Sequence, residues 1–302
     1  MKRLSNNARI RAESRAGVLF VMPATILLFV FTLLPIFISI ALALFKYNGF
    51  SAAEYVSVQN FTKLFADKSF GTSLKNTLTF VLLTVPTQTL LALLISAIIA
   101  SKFRDAFGEF TRGTLFIPVL CSSVLAGTVF YYLFASSEEA AVNMVLSMFG
   151  ISKVNWLGKK DTAMFVVALV AIWRNVGYYL VIFYAGIMDI PKDYYEAARV
   201  DGASGIQQFF YITLPSLKPI LYLVVTLGTI WGFQVFDTPY VMTNGGPGNG
   251  TLSPVMLIYQ QAFLNRRLGY ASAAACVLAV IIFIVTMIQR YAFRDKAGDN
   301  ND

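Results

Sequence analysis

The sequence contains no histidine and only two cysteines among its 302 residues. Histidine is the commonest zinc ligand and the commonest general base at neutral pH, so its absence removes the usual metal centres and acid–base sites. Cys121 and Cys276 both lie inside apolar runs, where a thiol behaves as a small buried residue. They therefore predict neither a disulfide nor a metal site.

Charge is also scarce. Only 13% of the residues are charged, 57% are hydrophobic and the mean hydropathy is +0.65. A soluble domain has about 25% charged residues, so this composition indicates a polytopic membrane protein. The net charge of +8 requires no nucleic acid as a partner, because basic residues collect in cytoplasmic loops and near anionic lipid headgroups.

A phosphate loop of the form G-x-x-x-x-G-K-[ST] is absent as well. The glycine cluster Gly245-Gly246-Pro247-Gly248 lacks the lysine and the hydroxyl residue that such a loop needs. The cluster therefore predicts a turn and not a nucleotide site, and we expect no cofactor in this chain.

What the sequence does contain is apolar runs, six of which are long enough for the roughly 20 residues of a spanning helix. They cover residues 17–45, 74–100, 113–134, 162–188, 217–236 and 270–289. The first run is longer than the core of a signal peptide and predicts a retained span. We expect an all-α membrane protein with one domain, residues 17–292, between a basic tail (1–16) and a second tail (293–302).

Six spans place both termini on the same side of the membrane. More of the lysines and arginines in the loops lie on the N-terminal side than on the other side. The positive-inside rule therefore predicts that both termini are cytoplasmic. In this topology residues 191–215 are cytoplasmic, and the glycine-rich segment after the fifth span faces outward.

The longest polar interval between two spans, residues 191–219, has a regular pattern. Pro191 suits the first turn of a helix, and the carboxylate of Glu196 favours the positive end of the helix dipole. Gly202 supplies a natural helix end. A second short helix is expected at residues 206–211. The pattern predicts a helix, a sharp bend and another short helix outside the bilayer.

The same interval carries a family resemblance. Glu196-Ala197-Ala198, three residues, Gly202, nine residues and Ile212-x-Leu214-Pro215 resemble the EAA loop of permease subunits of bacterial ABC importers. Several flanking pieces are similar to the carbohydrate-importing branch of that family: NFTKLF before the second span, RGTLFIP at the third and TNGGPGNGT after the fifth. The resemblance covers residues 17–292.

The resemblance implies an ABC type I importer permease fold in the bacterial cytoplasmic membrane. It implies a second permease, which is usually a different chain, two ATPase subunits that bind ATP and Mg²⁺, and an extracytoplasmic solute-binding protein. The substrate is then a sugar. Residues 191–215 become a coupling segment that docks on an ATPase. Its expected contact residues are Glu196, Ala197, Ala198, Asp201, Gly202, Ile212, Leu214 and Pro215.

Polar residues inside a span usually face a cavity or a partner, because they are costly in lipid. Arg174 and Asn175 lie deep in the fourth span, and Tyr178 shares a helix face with Arg174. Sugar sites combine aromatic faces with hydrogen-bonding groups. The resemblance to maltose importers carries the substrate contacts to Ala171, Arg174, Asn175, Tyr178, Gly228, Gly232 and Val235.

Several residue types at these positions differ from those of the maltose importers, so the identity of the sugar does not carry over. Other interpretations of the same residues remain open. Arg174 could pair with a second permease, and Gly228-x-x-x-Gly232 is itself a pattern for close helix packing. The glycine-rich segment, residues 245–250, either contacts a docked binding protein or forms a plain tight turn.

Alternative functions are a permease for glycerol phosphate or a polyol, and an ion-coupled secondary transporter. Such transporters usually carry acidic residues within their spans, whereas Asp237 lies at a span end and no span interior contains an acid. An intramembrane enzyme has no histidine or paired carboxylates to use. A membrane scaffold would not need Arg174 or Asn175.

Overall fold

A computed structural model of the chain describes residues 6–103 and 105–293. The expected N-terminal tail, 1–16, overlaps the first helix, which begins at Asn6. Residues 1–5, Arg104 and 294–302, and with them nearly all of the expected C-terminal tail, lie outside the described residues. The chain forms two compact units, residues up to 64 with 260–277, and residues 65–259 with the remainder.

The first unit opens with a long helix, α1 (Asn6–Leu28), which continues through a π-helical turn (Phe29–Leu33) into α2 (Leu34–Leu42). This π turn directly precedes Leu34-Pro35. Proline clashes with the carbonyl four residues earlier. Widening the preceding turn, so that the Leu34 N–H bonds to the Phe29 carbonyl, accommodates the ring.

A short connection follows. It contains β1 (Phe45–Lys46), which pairs antiparallel with β2 (Glu54–Tyr55), and α3 (Gln59–Ala66). The strands were not predicted, and NFTKLF, quoted above for its family resemblance, forms most of the amphipathic helix α3. Buried Asn60 donates from Nδ2 to the carbonyls of Ala43 and Phe45, each at 2.9 Å, and so ties α3 to the end of the first span.

The second unit is built from helices. In chain order they are α4 (Lys68–Lys102), α5 (Ala106–Leu120), α6 (Ser123–Leu133), α7 (Ala141–Met148), α8 (Lys160–Met188), α9 (Lys192–Val200), α10 (Gly205–Gln208), α11 (Leu214–Ser216), α12 (Lys218–Phe233), α13 (Asp237–Thr243) and α14 (Pro254–Tyr259). A π-helical turn at Phe209–Thr213 joins α10 to α11, and another at Gln260–Leu264 follows α14. The last helix, α15 (Leu268–Phe293), runs from the first unit into the second.

Four helical segments are long and apolar enough to cross a membrane: Gly17–Leu42, α4, α8 and α15. Two bent pairs bring the number to as many as six, as predicted. The first pair, α5 with α6, bends by 94°, and the second, residues 205–216 with α12, bends by 68°.

The third span is not the single helix expected for 113–134. Its helix begins earlier, at Ala106, where the side chain of Asp105 caps the first turn. It ends after Pro118, and extended backbone at Ser122 (ψ 136°) starts a new direction. The charged stretch before 113, which suggested a loop, is therefore largely helical. The fourth span, by contrast, is one unbroken helix through Arg174.

Helix α8 is the centre of the second unit. Near its beginning, Val166 and Val167 pack in an apolar cluster with Phe80 of α4 and Met242 of α13. Near its end, Tyr179, Leu180, Phe183 and Ile187 pack in another apolar cluster with residues of α4 and α12. The part of α8 between these clusters, residues 171–178, is the part that carries the predicted polar residues.

A buried amide organises the loop between α6 and α8. Asn143, on α7, is 2% exposed. Its Nδ2 donates to the carbonyls of Ala135 (3.2 Å), Ser137 (3.0 Å) and Val154 (3.2 Å), and its Oδ1 accepts from the Trp156 indole at 3.1 Å and from the Val154 N–H at 3.1 Å.

Replacing this amide should destabilise the loop. Asn143→Leu leaves several buried backbone groups without a hydrogen-bond partner, and each such group costs about 1–3 kcal/mol of folding free energy. We therefore expect a lower melting temperature of the purified protein. Ser147→Leu, on an exposed position of the same helix, is the matched control. Equal melting temperatures for the two variants would contradict the role given to Asn143.

Candidate functional site

A cavity of about 520 Å³ opens beside the middle of α8, between the two apolar clusters. Its walls come from α4, α5, α6, α8, α12 and the segment that follows α12. All of the residues predicted to contact substrate line it: Ala171, Arg174, Asn175, Tyr178, Gly228, Gly232 and Val235. Residues far apart in the sequence thus meet at one cavity.

Arg174 is held by the break in the third span. Its Nη1 donates to the hydroxyl of Ser123, the first residue of α6. Its Nε is buried and has no hydrogen-bond partner among the described residues. Asp237 lines the same cavity, but no ion pair joins the two within the described ranges. One donor of the guanidinium is therefore left without a hydrogen bond within the described part of the chain.

One wall of the cavity is aromatic. The Tyr178 ring lies 5.3 Å from the Trp231 ring, centroid to centroid, and 5.5 Å from the Tyr179 ring. Trp173, one residue before Arg174, instead packs against Phe130 of α6 at 5.1 Å and does not line the cavity. Tyr178 and Trp231 thus set an apolar surface beside the polar groups of α8.

One polar residue of the cavity, on α4, was not predicted. Gln88 lines the cavity and is 2% exposed, and its Oε1 has no hydrogen-bond partner within residues 6–103 and 105–293. Thr84, one turn earlier, also lines the cavity. A glutamine inside an apolar run was the available signal, since polar residues in spans tend to face cavities or partners.

The two glycines of α12 lie both in the cavity wall and at a close contact between helices. They line the cavity, and they also let α12 approach α4 closely. A Cβ at Gly228 would lie 3.0 Å from Gln88 Nε2, and one at Gly232 would lie 2.7 Å from Val81 Cγ2. The helix-packing interpretation therefore holds beside the cavity-lining one.

Three further rings adjoin the cavity where the chain leaves α12. Phe236, which lines the cavity, stacks on Tyr240 at 5.0 Å, and both rings contact Tyr259. The hydrogen bond with Tyr240 raises the pKa of the Tyr259 phenol. Tyr259 therefore stays a neutral phenol at physiological pH.

The glycine-rich segment is an internally bonded turn. The Gly250 N–H donates to the Pro247 carbonyl at 2.9 Å, and the Thr251 hydroxyl donates to the Gly246 carbonyl at 2.9 Å. Asn76 of α4 donates from Nδ2 to the carbonyls of Asn249 (2.6 Å) and Leu252 (3.0 Å). The glycine-rich composition of residues 245–250 is thus accounted for by a tight turn. Contact of this segment with a binding protein stays a prediction.

The coupling segment has the predicted helix, bend and second helix. Pro191 is the residue before α9 and not in its first turn. At the other end, Gly202 has φ +78°, its N–H donates to the Arg199 carbonyl, and the Ala203 N–H donates to the Ala198 carbonyl. This pair of bonds is a Schellman motif, in which glycine tolerates the left-handed backbone.

The second part of the segment is longer than predicted. It runs from Gly205 through the π turn to Ser216. A capping box begins it, because Gln207 and Ser204 each bond the backbone N–H of the other. The Tyr195 hydroxyl lies 2.9 Å from that of Thr213 and joins α9 to this second part.

The predicted coupling residues divide between surface and core. Glu196, Ala197, Asp201, Gly202 and Pro215 are exposed. Ala198 is half-buried, and Ile212 and Leu214 pack against the apolar cluster formed by α4, the end of α8 and α12. The segment therefore presents one face outward and inserts the other into the core beside the cavity.

The described part of the chain has no group of side chains suited to a metal ion. Across residues 6–103 and 105–293, no three His, Cys, Asp or Glu side chains cluster in a way that could hold a metal ion.

Comparison with known proteins places the chain in a family. The model described as "Binding-protein-dependent transport system inner membrane component" matches residues 64–297.

Curated relatives match most of the chain. An arabinooligosaccharides transport system permease protein, AraP of Bacillus subtilis, is 36% identical over 282 residues, which is 92% of this chain and 88% of the relative. A trehalose/maltose transport system permease protein, MalF of Thermococcus litoralis, is 30% identical over 277 residues, or 91% of this chain and 92% of the relative.

A solved structure shares the fold. A chain from the crystal structure of a bacterial ABC transporter involved in the import of the acidic polysaccharide alginate superposes with a TM-score of 0.82. The identity is 23%, and the match covers 95% of this chain and 98% of that one.

The position of the cavity-bearing helix depends on a close contact with α5. A Cβ at Gly177 would overlap the carbonyl oxygen of Leu115. Gly177→Ala should therefore push α8 away from α5, destabilising the protein by about 1–3 kcal/mol and lowering its melting temperature and yield. Gly113→Ala on α5, where an added Cβ meets nothing within 4 Å, is the control; a similar loss in both would contradict this packing account.

Proposed function

This chain belongs to the family of binding-protein-dependent transport system inner membrane components, and we propose that it forms part of the membrane pathway for an oligosaccharide. It is a multi-pass permease subunit of an ABC importer and has no catalytic role of its own. The proposal concerns its substrate, its contact residues and the subunits with which it assembles.

The observation that carries the proposal is the composition of the cavity. A sugar presents apolar C–H faces and a rim of hydroxyl groups. Tyr178 and Trp231 offer a ring surface for the former, and the polar side chains of Asn175, Gln88 and Arg174 line the cavity for the latter. The relatives named for arabinooligosaccharides and for trehalose and maltose favour the same substrate class.

We further propose the partners. The family is binding-protein-dependent, and the alginate transporter, similar in fold to this chain, has been crystallised with a periplasmic protein that holds an alginate pentasaccharide. An extracytoplasmic solute-binding protein would deliver the sugar, and a second permease, most simply a different chain, would complete the pathway. Two ATPase subunits would bind ATP and Mg²⁺ on the cytoplasmic side.

The coupling segment supplies the link to the ATPase in this proposal. Its exposed face contains the carboxylate of Glu196 beside the small Ala197, which permits close approach of a partner surface. Its inner face contains Ile212 and Leu214, which pack into the apolar cluster below the cavity. Movement of the ATPase would therefore reach α8 and α12 directly, and the cavity would open alternately to the two sides.

The substrate site is tested by removing its amides. Gln88→Leu and Asn175→Leu keep the side-chain size but remove a hydrogen-bond partner, and each should weaken uptake affinity by roughly tenfold. Uptake is measured in proteoliposomes holding the complete importer. The solute for this assay is chosen first. The binding protein is loaded in turn with arabino-oligosaccharides, gluco-oligosaccharides and glycerol phosphate, and the solute that most stimulates ATP hydrolysis by the importer is used.

Gln289→Leu is the matched control, because the Gln289 amide bonds to Thr229 between α15 and α12 and does not line the cavity. Its uptake affinity should equal that of the unaltered protein. Unchanged affinity and rate in both cavity variants would overturn the site, and stimulation by glycerol phosphate alone would overturn the sugar assignment.

The coupling proposal is tested by reversing one charge. Glu196→Arg should reduce co-purification of the ATPase by more than about tenfold. A cationic group of the ATPase would lose its carboxylate partner and face a like charge, which costs several kcal/mol in an interface. Glu139→Arg makes the same charge change on an exposed residue outside the segment and should retain the ATPase. Full ATPase retention with Glu196→Arg, or uptake by vesicles that lack any ATPase, would count against this mechanism.

A further inference from the structure

An uncharged stretch of the loop between α6 and α8 exposes several large apolar side chains. Residues 140–152 contain no charged residue, although Glu139 precedes them and Lys153 follows them. The exposed apolar side chains of this stretch, between 48% and 81% exposed, are Met144, Val145, Met148, Phe149 and Ile151. Such a concentration differs from the scattered apolar residues of an ordinary water-facing surface and indicates a surface that meets something other than water.

The exposed side chains of α7 occupy one face of the helix. Successive residues of a helix are about 100° apart, so Met144, Val145 and Met148 lie on the face opposite Asn143. Asn143 faces the protein, where its amide makes the hydrogen bonds described above. The face that is bonded to the protein is therefore fixed, and the face turned away from the protein is apolar, the reverse of a helix on the surface of a soluble protein.

The hydrogen bonds of Asn143 also fix the depth of α7 in the membrane. The amide donates to the carbonyl of Ala135, just after the end of α6, and accepts from the indole of Trp156, shortly before the beginning of α8. Both helices are parts of candidate membrane spans, so α7 lies at a boundary of the membrane. The coupling segment follows the other end of α8, which places α7 at the opposite boundary.

The residues around α7 fit this depth. Tyr131 and Tyr132, near the end of α6, are 44% and 68% exposed, and tyrosines are enriched where a span reaches the lipid headgroups. The exposed side chains of Glu138 and Lys153 form an ion pair at 3.2 Å. This pair joins the two ends of the uncharged stretch, so charge flanks the apolar face without interrupting it.

Lipid fits this face better than a binding protein that docks and leaves. Surfaces for transient association are about as polar as the rest of a protein surface and have a polar rim. The exposed face of α7 instead consists of Met144, Val145 and Met148, and Phe149 directly follows the helix. Hydrocarbon chains need no hydrogen-bond partner and gain from the removal of such side chains from water.

We propose that α7 lies flat at the extracytoplasmic face of the membrane and inserts Met148 and Phe149 among the lipid acyl chains. An amphipathic helix in this position buries its apolar face at the boundary between headgroups and chains. Because Asn143 bonds α7 to the ends of α6 and α8, this insertion would anchor the outer ends of the two helices that carry Ser123 and Arg174. The proposal does not depend on the nature of the transported solute.

The test places a fluorophore on the proposed face. Phe149→Cys is made in a complete importer whose native cysteines, including Cys121 and Cys276, are replaced by alanine. The new thiol is labelled with the dye NBD, and the importer is reconstituted in phosphatidylcholine nanodiscs. Lipids with a nitroxide on the acyl chain should quench this dye several-fold more strongly than aqueous iodide does, because the dye would lie among the chains.

The matched control is the same dye at Glu139→Cys, an exposed position outside the uncharged stretch, where iodide should be the stronger quencher. Two outcomes would overturn the proposal. Iodide quenching at position 149 as strong as that at position 139 would place the face in water. A dye at position 149 that neither quencher reaches would mean that a protein, such as a second permease, covers the face.

A variant without a label gives an independent readout. Met148→Asp would put a carboxylate among the acyl chains and should lower the melting temperature of the importer in the same nanodiscs, because charge is costly in lipid. Ser147→Asp adds the same charge at an exposed position nearer the Asn143 face and should lower it less. Met148 is 81% exposed, so a position in water predicts no loss, and equal melting temperatures for the two variants would contradict insertion.

Discussion

The second unit depends on one constraint, which is that a charged side chain in the middle of a membrane-spanning helix must have polar surroundings. Arg174 imposes this requirement on α8. Both ends of α8 are packed in apolar clusters, so polar surroundings exist only at its middle. There the third span breaks and presents Ser123 to the guanidinium, and the neighbouring helices enclose a cavity instead of closing over the charge.

The break and the cavity occur together for a physical reason. A bend of 94° frees backbone N–H and C=O groups, and lipid cannot satisfy them. Irregular backbone at membrane depth is tolerated where it is buried in protein or lines a polar cavity. The first turn of α6 has no side-chain cap, and its first residue, Ser123, lines the cavity. The same cavity therefore gives polar surroundings to the charge of Arg174 on α8 and to the free backbone groups at the break in the third span.

The sequence predicted those features whose signal is local. Arg174 and Asn175 stand out in an apolar run, and the bend of the coupling segment follows from Gly202 and its neighbours. Gln88 was missed because a lone amide in a span has no periodicity, and its burial depends on the close approach of Gly228 from α12. The break after Pro118 was missed because the charges before residue 113 suggested a loop, whereas Asp105 caps a helix there.

Hydrogen bonds join the two parts of the coupling segment to each other. The Schellman motif, the capping box and the Tyr195–Thr213 hydroxyl pair fix its two parts together. Its π turn extends the second part beyond the local pattern, because Ile212 and Leu214 pack into the core.

A displacement of the coupling segment must therefore be taken up by the helices that it joins, α8 and α12. These two pack closely at their shared end, since a Cβ at Gly186 would overlap the side chain of Ile220. We propose that the displacement is taken up as shear where α12 meets α4 at Gly228 and Gly232, because packed helices can slide past each other in small steps. Because the same two glycines line the cavity, sliding at this contact changes the cavity itself.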